Sequence, residues 1–111
     1  MNPQSSFATV AGVIRIDRVA AYFDVWLNSA FPFLKMKVKV TERSSSDFLA
    51  APNVAILNIS TREPEYISGL GSTVEEALGD LLHRFASGVR ENTPSDGLKE
   101  TDFQWSASED F

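Results

Sequence analysis

Two hydrophobic periodicities divide this chain. From Ile16 the apolar residues fall at Ile16, Val19, Ala20, Phe23, Trp26, Leu27, Ala30 and Phe31. That is the i, i+3, i+4, i+7 spacing of an amphipathic helix, with Asp17, Asp24 and Asn28 on the opposite side. Phe31-Pro32 ends the pattern, because the residue before a proline avoids helical backbone angles. Ahead of it, residues 8–16 read as a short strand or as the lead into the helix. Residues 1–8 are polar and expected to fray.

Period two then takes over. Met36, Val38 and Val40 alternate with Lys35, Lys37 and Lys39, which predicts a half-buried strand with a solvated lysine face. Residues 43–47 form a polar turn, 48–51 extend again as far as Pro52, and the apolar run 54–59 suits a central strand. After a turn at 61–64, residues 66–68 are placed as a last short strand. A second helix follows, entered through Gly71-Ser72-Thr73. Ser72 or Thr73 is positioned to accept free amides, and Glu75 or Glu76 to close a capping box. At 100° per residue Val74, Leu78, Leu81, Phe85 and Val89 share one face, with Ala77 and Leu82 beside it and His83 opposite. Asn92-Thr93-Pro94 stops the helix. In the tail Thr101, Phe103 and Trp105 alternate, as in a short added strand or a docked extended segment. The fold class expected is α+β: a small antiparallel sheet with one helix on a face, preceded by an N-terminal amphipathic helix. The parts are an extension (1–34), a β-β-β-α core (35–91) and an acidic aromatic tail (92–111).

The strand "KMKVKVTER", a polar turn, an extended segment and then "YISGLGSTVEEALGDLLHRF" resemble the HicB-like antitoxin domain, over roughly residues 35–90. That family joins a β-β-β-α unit through a turn of the type G-D/S-T-x-E-E-A-L. The resemblance implies a non-enzymatic module that binds a protein partner, a toxin or effector ribonuclease. HicB-like proteins usually carry a proline-glycine turn before the third strand, where this chain has the run 54–59 and a long connection. Many also append a DNA-binding segment. Nothing after Thr93 has that pattern, so operator binding is not carried over.

Composition narrows the classes. At 111 residues with 43% apolar content and twelve aromatics, one folded domain is expected. There are no cysteines, which removes disulfide and thiolate-metal chemistry and agrees with a reducing, cytoplasmic setting. The N-terminal residues lack a basic leader with a long apolar core, which argues against secretion, and no apolar run is long enough to span a membrane. Net charge is −5, but residues 1–64 carry +2 (seven basic, five acidic) and residues 65–111 carry −7 (three basic, ten acidic). A polyphosphate would be repelled overall unless a local basic face prevails.

Candidate chemistry is sparse. The turn at 68–72 places amides at a helix start, where anions bind, but a capping glutamate satisfies such amides equally well. His83 has no second histidine or cysteine for a metal set and no nucleophile motif. Glu42, Asp47 and Glu65 sit at strand ends and turns rather than converging. No enzyme activity, metal or cofactor is expected. Lys35, Lys37 and Lys39, with Arg43 nearby, form a basic strip. On an edge strand such lysines deter edge-to-edge pairing, and the alternative use is nucleic-acid contact, although the aromatics are not interleaved with them along the strand. Gly79 costs its helix about 1 kcal/mol relative to alanine. With Ala86 and with Leu82 between, it makes a shallow surface for the N-terminal helix, in the same chain or across a homodimer. The partner-binding residues expected are therefore Phe23, Trp26, Leu27, Phe31, Gly79, Leu82 and Ala86. Phe103 and Trp105 are expected to dock the tail on its own domain.

Overall fold

The computed structural model describes residues 11–43 and 45–111. The expectation for residues 1–8 lies outside the described residues. In chain order the elements are β1 (Arg18–Trp26), β2 (Lys35–Glu42), β3 (Phe48–Pro52), β4 (Val54–Leu57), β5 (Pro64–Glu65), β6 (Gly69–Gly71), helix α1 (Val74–Glu91) and β7 (Phe103–Trp105). The class is α+β: two antiparallel sheets, ordered β1-β2-β3-β6 and β5-β4-β7, with α1 packed against them.

The N-terminal amphipathic helix is not there. Residues 18–26 form a nine-residue strand paired antiparallel with β2, Trp26 opposite Lys35 and Tyr22 opposite Lys39. The same residues carry both periods. Ala21, Phe23 and Val25 alternate with Tyr22, Asp24 and Trp26, and β-branched and aromatic side chains suit a pleated surface. Two other boundaries shift as well. The last strand before α1 is Gly69–Gly71 rather than 66–68, and β2 lies between β1 and β3 rather than at an edge.

Met36, Val38 and Val40 are buried with Ala50 under Ala77, Leu81 and Phe85 of the helix. The helix face is turned relative to the expected one. Ala77, Leu81, Phe85, Gly88 and Val89 are its buried residues, and Leu78 is only half-buried. β6 sets that rotation. A Cβ on Gly69 would collide with the Leu81 amide nitrogen and lie 2.5 Å from the Ala77 carbonyl oxygen. The strand backbone therefore rests on the helix backbone, and only a residue without a side chain fits. Thr73 is the N-cap and accepts the Glu76 N–H at 3.1 Å, while the Glu76 carboxylate accepts from the Ser72 N–H at 3.3 Å and hydroxyl at 2.7 Å. At the other end Asn92 is buried, donating Nδ2 to the Gly88 carbonyl and accepting the Ile59 N–H.

The smaller sheet closes the end of the core. β7 adds to β4 with Phe103 opposite Ile56. The β1–β2 loop folds over it, so that Phe33 meets Phe103 edge-on at 4.9 Å and Trp105 at 4.8 Å, and Phe31 stacks on Phe85 at 6.4 Å. The tail thus docks on its own domain.

Leu81 is fully buried, so Leu81→Ala should cost about 2–5 kcal/mol in chemical denaturation. Gly69→Ala should be destabilising by at least about 1–3 kcal/mol, despite adding only a methyl group. A loss below about 0.5 kcal/mol in either variant would contradict this packing.

Candidate functional site

Because α1 covers one face of the four-stranded sheet, the side chains of the other face stand outward. The Leu27 N–H donates to the Leu34 carbonyl at 2.8 Å. Antiparallel alternation then assigns the hydrogen-bonded positions of β1 to Ala21, Phe23 and Val25. Tyr22, Asp24 and Trp26 occupy the non-bonded pairs, opposite Lys39, Lys37 and Lys35. In such pairs the Cα atoms approach to about 4.5 Å and the side chains touch. The face therefore presents Tyr22, Asp24 and Trp26 beside the three lysines, continued by Leu49 and Ala51 of β3 and by Leu70 of β6.

The contacts are specific. Lys35 Nζ lies 5.0 Å over the Trp26 ring and 3.7 Å from an Asp24 carboxylate oxygen. Lys39 Nζ donates to the Phe111 carbonyl at 2.9 Å and sits 5.1 Å over the Phe111 ring. That ring is in turn tilted at 58° against Tyr22, with centroids 6.3 Å apart. A cavity of about 420 Å³ opens beside it, lined by Tyr22, Lys37, Asn53, Ser106, Ser108 and Phe111. Asn53 fixes its floor. Its side-chain oxygen accepts the Lys37 N–H, its own N–H donates to the Lys37 carbonyl, and its carbonyl accepts the Ser106 N–H, each at 2.9 Å. Exposed ion pairs of this kind contribute little to stability, so these lysines are held in place without being needed for the fold.

The structure disperses the other expected site residues. Phe23, Leu27 and Phe31 pack partly buried against their own core, whereas Trp26 is 68% exposed on the outer face. Leu82 is partly buried and Ala86 exposed, and nothing comes within 4 Å of a Cβ on Gly79 among the described residues. With no N-terminal helix, no such helix covers that flank. Arg43 is turned into its own loop, its Nε donating to Asp47 at 2.8 Å, and it holds the Asp47 carboxyl far below the usual carboxylate range. At the start of α1 Thr73 takes the Glu76 amide and the Glu76 carboxylate takes the Ser72 amide, so the turn caps itself. Glu42 faces Arg18 at 3.8 Å, and Glu65 accepts from Asn58 at 2.7 Å. His83 borders a shallow groove of about 630 Å³ with Asp80, Arg84, Ser87 and Glu91.

Two features escaped the sequence reading. The crowded glycine of α1 is Gly88, where a Cβ would stand 2.5 Å from Ile67 Cδ1. The other feature is a tail latch. Asp102, 4% exposed, accepts Arg62 Nη1 at 2.9 Å and the Lys99 N–H at 2.8 Å, while Arg62 Nη2 donates to the Thr101 carbonyl. Arg62 reaches it from a turn where its φ is +62°. The Lys99 N–H first, and the Arg62 guanidinium second, lower the Asp102 pKa.

No family model, curated protein or solved structure matches this chain.

Gly79→Ala should raise stability by about 0.5–1 kcal/mol, since the methyl enters open space and removes a helix penalty; a loss of stability would mean that the flank is occupied. The latch predicts a pH dependence. A depressed carboxylate pKa contributes stability that is fully present above the ordinary carboxylate range and is lost as pH falls through the lowered folded value. Acid denaturation should therefore begin below about pH 4, and Asp102→Asn should weaken that dependence while costing about 1–2 kcal/mol at neutral pH. An unchanged acid profile in Asp102→Asn would contradict the latch.

Proposed function

We propose that this domain is a non-enzymatic protein-interaction module, similar to HicB-like antitoxin domains, that binds a partner chain through the outer edge of β1. The observation that carries the reading is the difference between the two edges of the larger sheet. At the β6 edge the strand is three residues long, and its outward Leu70 N–H is taken by Asp80 at 2.9 Å. At the other edge β1 is nine residues long and, among the described residues, pairs only with β2. The backbone N–H and C=O groups of Tyr22, Asp24 and Trp26 point outward there. β1 contains neither lysine nor proline. Its one register shift, between Val19 and Ala21, leaves residues 21–26 in unbroken pairing with β2. Native sheets commonly protect such an edge, and partners that add a strand use it. The HicB-like resemblance supports the reading through the Lys35–Glu42 strand and the glycine-led, capped helix, although five strands rather than three lie between Lys35 and α1. A toxin or effector is the partner which that resemblance implies, and a second copy of this chain is the other strand donor to test.

Asp24→Pro is the test. It removes one outward N–H and no ladder bond to β2, at an edge position where proline is tolerated. Sedimentation velocity should show that wild-type self-association, or binding of a purified partner chain, falls at least tenfold in Asp24→Pro while far-UV circular dichroism is unchanged. Association that survives the substitution intact, or its absence with every candidate, would refute the edge reading.

A further inference from the structure

The outer sheet face interleaves two chemistries that the sequence keeps apart. Lys35, Lys37 and Lys39 follow one another along β2, and Tyr22 and Trp26 stand on β1. Pairing sets Tyr22 against Lys39 and Trp26 against Lys35. Ring and ammonium thus alternate across an open antiparallel sheet, with Tyr22 56% and Trp26 68% exposed. The lysines recur every second residue, roughly 6.8 Å apart, a spacing suited to successive charges along an extended polymer. Base–aromatic stacking with a basic track beside it is the general means of holding unpaired nucleic acid.

We infer that this face is a binding platform for single-stranded nucleic acid, with Trp26 and Tyr22 stacking bases and Lys35, Lys37 and Lys39 facing phosphates, and that the chain's own C-terminal residues occupy its Tyr22 end. The occupant has the same chemistry as the ligand. Phe111 supplies a ring against Tyr22 and beneath Lys39, and a carbonyl oxygen to the Lys39 ammonium. Glu109 and Asp110 precede it with two negative charges. The tail offers one ring, whereas the platform has two. Trp26, at the far end, is exposed with Lys35 over its ring. Asp24 stands between the two aromatics and opposes phosphate there. The site is therefore weak in the resting chain and strengthens when the tail leaves. It is independent of the β1 edge, since it uses side chains of the face rather than backbone groups.

Fluorescence anisotropy of the full chain with a labelled oligonucleotide of roughly ten bases, as single-stranded RNA, single-stranded DNA and duplex, at about 50 mM salt, tests this. Both single strands should bind more tightly than duplex, and the RNA and DNA arms identify the preferred sugar. Phe111→Ala and Asp24→Asn should each strengthen binding at least threefold. Trp26→Ala should weaken it at least fivefold, the lower end for loss of one stacking partner. Lys37→Gln should lower the logarithmic salt slope by about one. Phe111 is half-buried and Trp26 exposed, so both variants should fold, with melting curves as the check. Duplex bound as tightly as single strand, affinity unmoved by Trp26→Ala, or no binding by Phe111→Ala at about 100 µM would each overturn the inference. A synthetic peptide of residues 106–111 should compete with the oligonucleotide on Phe111→Ala; failure to compete would overturn the tail's role.

Discussion

One helix lies on one face of a four-stranded sheet, seated so closely that Gly69 rests on the backbone of Ala77 and Leu81. Most of what distinguishes this molecule follows from that contact. It fixes the rotation of α1, so the buried stripe runs through Ala77, Leu81, Phe85 and Gly88. It also allows Asp80 to reach over and close the β6 edge. Because α1 takes only one of the two faces, the contact leaves Tyr22, Trp26 and three lysines on the other, where among the described residues the C-terminal segment reaches Tyr22 and Lys39.

The rest of the chain manages the exposed ends of that two-layer arrangement. The β1–β2 loop places Phe31 and Phe33 over Phe85 and Phe103, which joins the smaller sheet to the larger at an aromatic cluster. The Asp102–Arg62 latch positions β7 beside β4, and the residues beyond β7 run on to bring Phe111 across Lys39 and Tyr22. Charge follows the same division. The acidic C-terminal half lies along the helix and tail, while the lysines of β2 sit on the open face, so the −5 net charge conceals a locally basic strip.

Elements defined by contacts close in sequence were legible. The Lys35–Val40 alternation, the glycine-led and capped start of α1 and the stop at Asn92 all rest on local chemistry, and the structure selects Thr73 and Glu76 from the two capping pairs the sequence allows. β1 was not, because Val19, Phe23, Trp26 and Leu27 satisfy a helical stripe as readily as Ala21, Phe23 and Val25 satisfy a strand, and β2 decides between them from a hairpin away. The ambiguity of β1 extends to its neighbour. With β1 taken as a helix, β2 became an edge and its lysines a guard against pairing, so the cross-strand pairs Tyr22–Lys39 and Trp26–Lys35 could not be seen. Gly79 drew attention as the helix glycine, whereas the crowding is at Gly88, and only Ile67, far off in sequence, shows it.

Amide hydrogen exchange read by NMR across residues 16–31 tests most directly whether this segment is the outer strand on which the open face depends. The structure predicts alternation: slow exchange at Ala21, Phe23 and Val25, whose amides face β2, fast exchange at Tyr22, Asp24 and Trp26, and cross-strand contacts between Tyr22 and Lys39. Uniform protection of the segment with contacts at i, i+3 would be the signature of a helix and would contradict the account.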